Sequence, residues 1–128
     1  MTIIIICLFI ATFMPILAKA PLAMAMNKAG GYDNRNPRDQ QKSLSGFGAR
    51  AKAAHENCFE ALIMFTPGAI AVIATDNTGQ LAEVLAVTFI VSRLAYLGAY
   101  YFDKHVLRST FWGMGFISSL VLVFLAIP

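Results

Sequence analysis

Charge is what this sequence most lacks. Asp, Glu, Lys and Arg make up 13% of its 128 residues, where an average soluble domain carries about 25%. Cysteine is nearly absent: Cys7 and Cys58 both fall in apolar stretches, which excludes a disulfide framework and reads as two buried thiols. His55 and His105 lie far apart, with no CxxC or HxxxH companion, so no metal-ligand spacing is present. Basic residues are missing from residues 76–80, and no acidic residue precedes Asp33.

What is present is apolar. Hydrophobic residues account for 58% of the chain, an excess too large for one soluble core. Four apolar runs occur, at about 2–18, 57–75, 81–102 and 109–127. Each approaches the ~20 residues a helix needs to cross ~30 Å of hydrocarbon. A helix satisfies its own backbone hydrogen bonds, so the expected fold is all-α, a single four-helix integral membrane bundle over 1–128. The small-x-small pattern of ALAKA could end a signal peptide. The lack of a preceding basic residue, the length of the run and Pro21 after the cut favour a retained span instead.

The net charge of +3 carries topology. Seven of the ten basic residues (Lys19, Lys28, Arg35, Arg38, Lys42, Arg50 and Lys52) lie between spans one and two, and Lys104 and Arg108 lie between spans three and four. The positive-inside rule puts both segments in the cytoplasm and both termini outside, as in a bacterial inner membrane, and no nucleic-acid partner is implied. The cytoplasmic loop, about 19–45, contains Gly30-Gly31, Asn36-Pro37 and the turn formers Asp33 and Asn34. It reads as an ordered loop held at the lipid phosphates by Arg35 and Arg38, or as the rim of a ligand pocket. Ser43 or Ser45 is a candidate cap for the next helix, and Pro67-Gly68 a candidate kink within it.

The polar residues at the mouth of the second span need a reason to be there. At about 100° per residue, Arg50, Ala53, Asn57, Glu60 and Met64 share one helix face, with His55 roughly opposite. A carboxylate a turn inside the membrane costs ~2–3 kcal/mol and should face a partner. Arg93, Tyr96, Tyr100 and Asp103 share a face of the third span, so a buried Glu60–Arg93 ion pair is expected. The alternative is a purely structural pair flanked by an aromatic belt. Arg108-Ser109 opens the fourth span, where an arginine at a helix N-terminus suits an anion, or serves topology alone.

Taken in order, A-H-x-N-x-x-E (Ala54, His55, Asn57, Glu60), R-x-x-Y-x-x-x-Y (Arg93, Tyr96, Tyr100), Arg108-Ser109 and the YDNRNPR stretch resemble the MAPEG family. These are the membrane-associated proteins in eicosanoid and glutathione metabolism, and the resemblance covers nearly the whole chain. It implies a homotrimer binding glutathione between subunits near the cytoplasmic face. Asn57, Glu60, Arg93, Tyr96 and Tyr100 would contact glutathione, and Arg108 would be the catalytic residue that stabilises its thiolate. His55 matches a family position and is expected to turn towards a neighbouring chain. The chain departs from several members at Ala53, where they carry arginine, at Glu56, where a basic residue is common, and in the placement of Pro67. Arg50 or Lys52, one turn up, would then supply the missing charge.

Three functions follow. The first is a glutathione transferase or peroxidase acting on lipophilic small-molecule substrates. The second is a catalytically silent scaffold or partner subunit. A small transporter fits less well, because the first span has no acidic residue.

Overall fold

The computed structural model describes residues 1–128. Five helices follow one another: α1 Thr2–Lys28, α2 Pro37–Ser43, α3 Phe47–Ala74, α4 Gln80–Tyr101 and α5 His105–Leu125. All but the short α2 are long and apolar enough to cross a membrane. The protein is an all-α four-helix membrane bundle in which α4 packs on α5 and α1 on α3, with α3 also meeting α5.

Each spanning helix buries a stripe at spacings of three and four. On α1 it is Ile4, Cys7, Ala11, Met14, Ala18, Leu22 and Met26, and on α3 it is Ala51, Ala54, Cys58, Ala61, Phe65, Ala69 and Val72. The stripe explains why α1 runs to Lys28 instead of ending near residue 18: Leu22 and Met26 are fully buried against Ala51. Pro15 and Pro21 lie within α1, a position that membrane helices tolerate better than soluble ones. The alanine-rich stripe of α3 lets its neighbours approach closely. At Gly68 the approach is closest, since a Cβ there would sit 2.9 Å from Leu122 Cβ and 3.0 Å from the Ser119 carbonyl oxygen. Lower in the bundle Phe65 and Phe89 stack with centroids 4.1 Å apart and planes 7° from parallel.

The loop between α1 and α3 is therefore shorter than the sequence suggests and contains α2. Asp33 accepts hydrogen bonds from the Arg35 and Asn36 amides, each at 2.9 Å, which sets the turn before Pro37 opens α2. Gln40 ties the loop down: its amide nitrogen donates to the Met26 and Gly31 carbonyls at 3.1 and 2.7 Å, and its oxygen accepts from the Asp33 amide at 2.9 Å. Neither Ser43 nor Ser45 caps α3. Gly46 does, at φ +53°, a conformation that costs glycine little.

Helix α3 is 28 residues long, ~42 Å at 1.5 Å per residue, and overshoots a ~30 Å hydrocarbon core by two turns or so. The charged residues of α3, Arg50, Lys52, Glu56 and Glu60, all lie in its first half, so the overshoot belongs to the loop end and Asn57 stands near the start of the apolar run. The α4–α5 turn brings Arg108 to the same level. Asp103 takes φ +57°, and the Lys104 amide donates back to Ala99 at 2.8 Å, closing the end of α4 and starting α5 at once.

Candidate functional site

The polar residues of three helices converge at this level. Arg93 is 2% exposed and donates from Nη2 to Asn57 Oδ1 at 2.7 Å. The Asn57 amide nitrogen in turn donates to Glu60 Oε2 at 2.6 Å. The expected Glu60–Arg93 ion pair is thus replaced by a relay. Asn57, one turn nearer on the same face, meets the guanidinium first, while Glu60 turns outward and is exposed. The amide presents oxygen to the cation and N–H to the anion, so its orientation is fixed from both sides. The Arg93 guanidinium also lies 4.0 Å above the Tyr96 ring, and its buried Nε has no partner.

Beside the relay is a cleft of about 250 Å³ lined by Asn57, Tyr96, Tyr100, Arg108, Ser109 and Trp112. Arg108 stacks over Tyr100 at 4.6 Å, and Tyr96 meets Tyr100 edge to face at 5.5 Å. The cleft therefore offers a cation, two phenols, an amide and a hydroxyl at the end of a helix pair, a set able to hold a small anionic or zwitterionic molecule. A larger groove of about 460 Å³, between the end of α1 and the start of α3, has only Lys28 as a charged wall residue and has no phenol or side-chain amide.

Of the residues singled out in the sequence, Asn57, Tyr96, Tyr100 and Arg108 line the cleft, and Glu60 and Arg93 adjoin it through Asn57. Arg50 does not line it. Its guanidinium reaches Asp103 at 3.9 Å, tying the start of α3 to the α4–α5 turn. Lys52 pairs with Glu56 along its own helix at 2.7 Å, so neither cation stands in for an arginine at Ala53. His55 is turned inward to its own chain, with Nδ1 2.9 Å from the Pro15 carbonyl oxygen. A carbonyl only accepts, so Nδ1 carries the proton in that contact.

Trp112 was not among the sequence candidates. It stands one turn beyond Arg108 on α5, so helical spacing from Arg108 was the signal that could have found it.

The profile of the MAPEG family matches residues 3–128. No curated protein and no solved structure matches the chain. With the profile spanning essentially the whole four-helix bundle, the chain belongs to the MAPEG family.

Proposed function

We propose that the protein is a glutathione-dependent membrane enzyme, a transferase or peroxidase for lipophilic electrophiles. The observation that carries this reading is the shared cleft, in which Arg108, Tyr96, Tyr100 and Asn57 come together beside the Glu60–Asn57–Arg93 relay. Family membership supports it, since MAPEG proteins include glutathione transferases and peroxidases as well as non-catalytic members.

The residue types suit glutathione. Arg108, Tyr96 and Tyr100 can donate to its carboxylates and sulfur, and the exposed Glu60 carboxylate can accept from its ammonium or amides. Glutathione supplies the nucleophilic sulfur, and its thiol, like a cysteine's, has an ordinary pKa near ~8.5. Arg108 favours the anionic form of that sulfur, because a guanidinium beside a thiol stabilises the charged state without titrating itself. Arg93 acts one layer deeper, orienting Asn57 and with it Glu60. Arg50 and His55 hold α3 in place.

The active unit in this reading is a homotrimer. A cleft of about 250 Å³ is smaller than the ~300–1,000 Å³ of most small-molecule sites. Glu60, exposed on a spanning helix, is costly against lipid and favourable against a neighbouring chain. A second copy would cover the carboxylate and complete the wall. The positive-inside bias of the basic loops supports a cleft at the cytoplasmic face of a bacterial inner membrane, with both termini on the opposite side. Isothermal titration of glutathione into the purified protein in nanodiscs tests the reading. A dissociation constant in the millimolar range or below is expected, and no heat at millimolar ligand would overturn it.

A further inference from the structure

Trp112 is the chain's single tryptophan. It forms part of the cleft wall, one turn from Arg108. Phe116, a turn further, stacks behind it with centroids 5.2 Å apart and planes 13° from parallel. The stack runs from the polar cleft towards the hydrocarbon, because α5 enters the membrane from its Arg108 end. Offset stacking of this kind fixes the indole plane, leaving a rigid flat wall where a flexible side chain would adapt to any shape. With Tyr96 and Tyr100 in the same cleft, three of its six lining residues are aromatic.

We propose that Trp112, braced by Phe116, is a specificity-determining residue that favours flat, electron-poor aromatic electrophiles over saturated ones. The inference rests on the glutathione-dependent reading above and adds what selects the second substrate. An electron-poor ring stacks on the electron-rich indole face, and one turn along the helix Arg108 fixes the level of the attacking sulfur. With 1-chloro-2,4-dinitrobenzene, sulfur forms a bond to the chlorine-bearing ring carbon. Chloride leaves with the bonding pair, and the thiol proton passes to water. An alkyl halide such as 1-iodohexane undergoes the same displacement, losing iodide, without a ring to stack.

The experiment compares both electrophiles in wild type, Trp112→Leu and Phe116→Leu, with glutathione affinity measured beside them. A stacking contact of ~0.5–1.5 kcal/mol corresponds to roughly a 2- to 10-fold rise in KM for the aromatic substrate in Trp112→Leu. Phe116→Leu should give a smaller rise. The deciding quantity is the ratio of the two KM values, aromatic over alkyl, which should rise by that factor in Trp112→Leu whatever the altered cleft wall does to glutathione affinity. Equal shifts for both electrophiles would reduce Trp112 to a membrane-interface anchor and overturn the proposal.

A second readout needs no glutathione, so it separates failure of this inference from failure of the functional reading. Unreactive 1,3-dinitrobenzene should quench Trp112 fluorescence saturably. It should quench only collisionally in Trp112→Phe/Phe124→Trp, where the reporter moves to an exposed position near the far end of α5, outside the cleft. Collisional quenching in wild type as well would overturn the proposal whether or not glutathione binds.

Discussion

Arg93 and Asn57 meet at 2.7 Å across the α3–α4 seam, and that contact puts a neutral amide between a buried cation and the exposed carboxylate of Glu60. Direct Arg–Glu contact would neutralise both charges in the bundle. The relay keeps the arginine buried and leaves Glu60 with one oxygen for other work. Removing the middle member is therefore worse than removing the cation.

Asn57→Ala leaves the Arg93 guanidinium buried without its acceptor, at a cost of about 2–3 kcal/mol. Arg93→Met removes the charge as well as the bond and should cost less, since an apolar side chain of similar length suits the site. The double variant should be more stable than Asn57→Ala alone. Unfolding in mixed micelles, followed by circular dichroism, checks the order, and a double variant less stable than both singles would contradict the relay.

Arg108 should show itself in a pH profile. A guanidinium lowers the pKa of a neighbouring thiol by roughly one to three units. The thiolate-limited rate therefore rises at lower pH in wild type than in Arg108→Ala. The variant's profile should shift upward in pH by at least a unit or so, with Arg108→Lys between the two. Stopped-flow absorbance of bound thiolate measures the shift directly, and coincident profiles would remove Arg108 from the chemistry.

Gly68 and Gly115 should part company. A methyl at Gly68 would press on Leu122 Cβ at 2.9 Å and on the Ser119 carbonyl oxygen at 3.0 Å, so Gly68→Ala forces α3 and α5 apart at about 1–3 kcal/mol. At Gly115 the nearest atom would be Arg93 Cδ at 3.5 Å, an ordinary contact. Gly115→Ala should be neutral or slightly stabilising, as alanine is the better helix former. Thermal midpoints of the two purified variants decide this.

Gln40→Ala removes three hydrogen bonds from the loop, and Gln40→Glu sets a carboxylate against the Met26 and Gly31 carbonyl oxygens. Both should loosen residues 29–36 while the spans stay intact, at about 1–2 kcal/mol since the bonds are largely exposed to water. Faster proteolytic nicking of this loop, with unchanged helix content, is the expected result.

The spans were legible in the sequence because hydropathy acts locally, and so was the helix face joining Asn57 to Glu60. Partners across helices were not. Periodicity says which way Arg93 points but not that Asn57 reaches it before Glu60 does, because that depends on side-chain length and helix separation. The contact of His55 with Pro15 spans forty residues and left no local trace beyond the proline itself. The full extent of α1 was hidden for a related reason: Lys19 interrupts the apolar run near residue 18, while burial of Leu22 and Met26 against another helix carries the helix on to Lys28. Asp33, whose work is done within a few residues, was read correctly as a turn former, while Pro37, read as punctuation of the loop, opens α2.

The stacked rings of Phe65 and Phe89 have a consequence for the electrical integrity of the membrane. Arg93 and Asn57 bring polar chemistry some way into the bilayer, which in another bundle could begin a conduction path. One turn beyond Arg93 on α4, the parallel rings and the fully buried Leu122 and Val72 form a dry plug. An ion pushed further would shed its hydration among side chains that carry no charge, a costly step in any permeation. A bilayer carrying many copies of this protein should therefore keep its proton gradient.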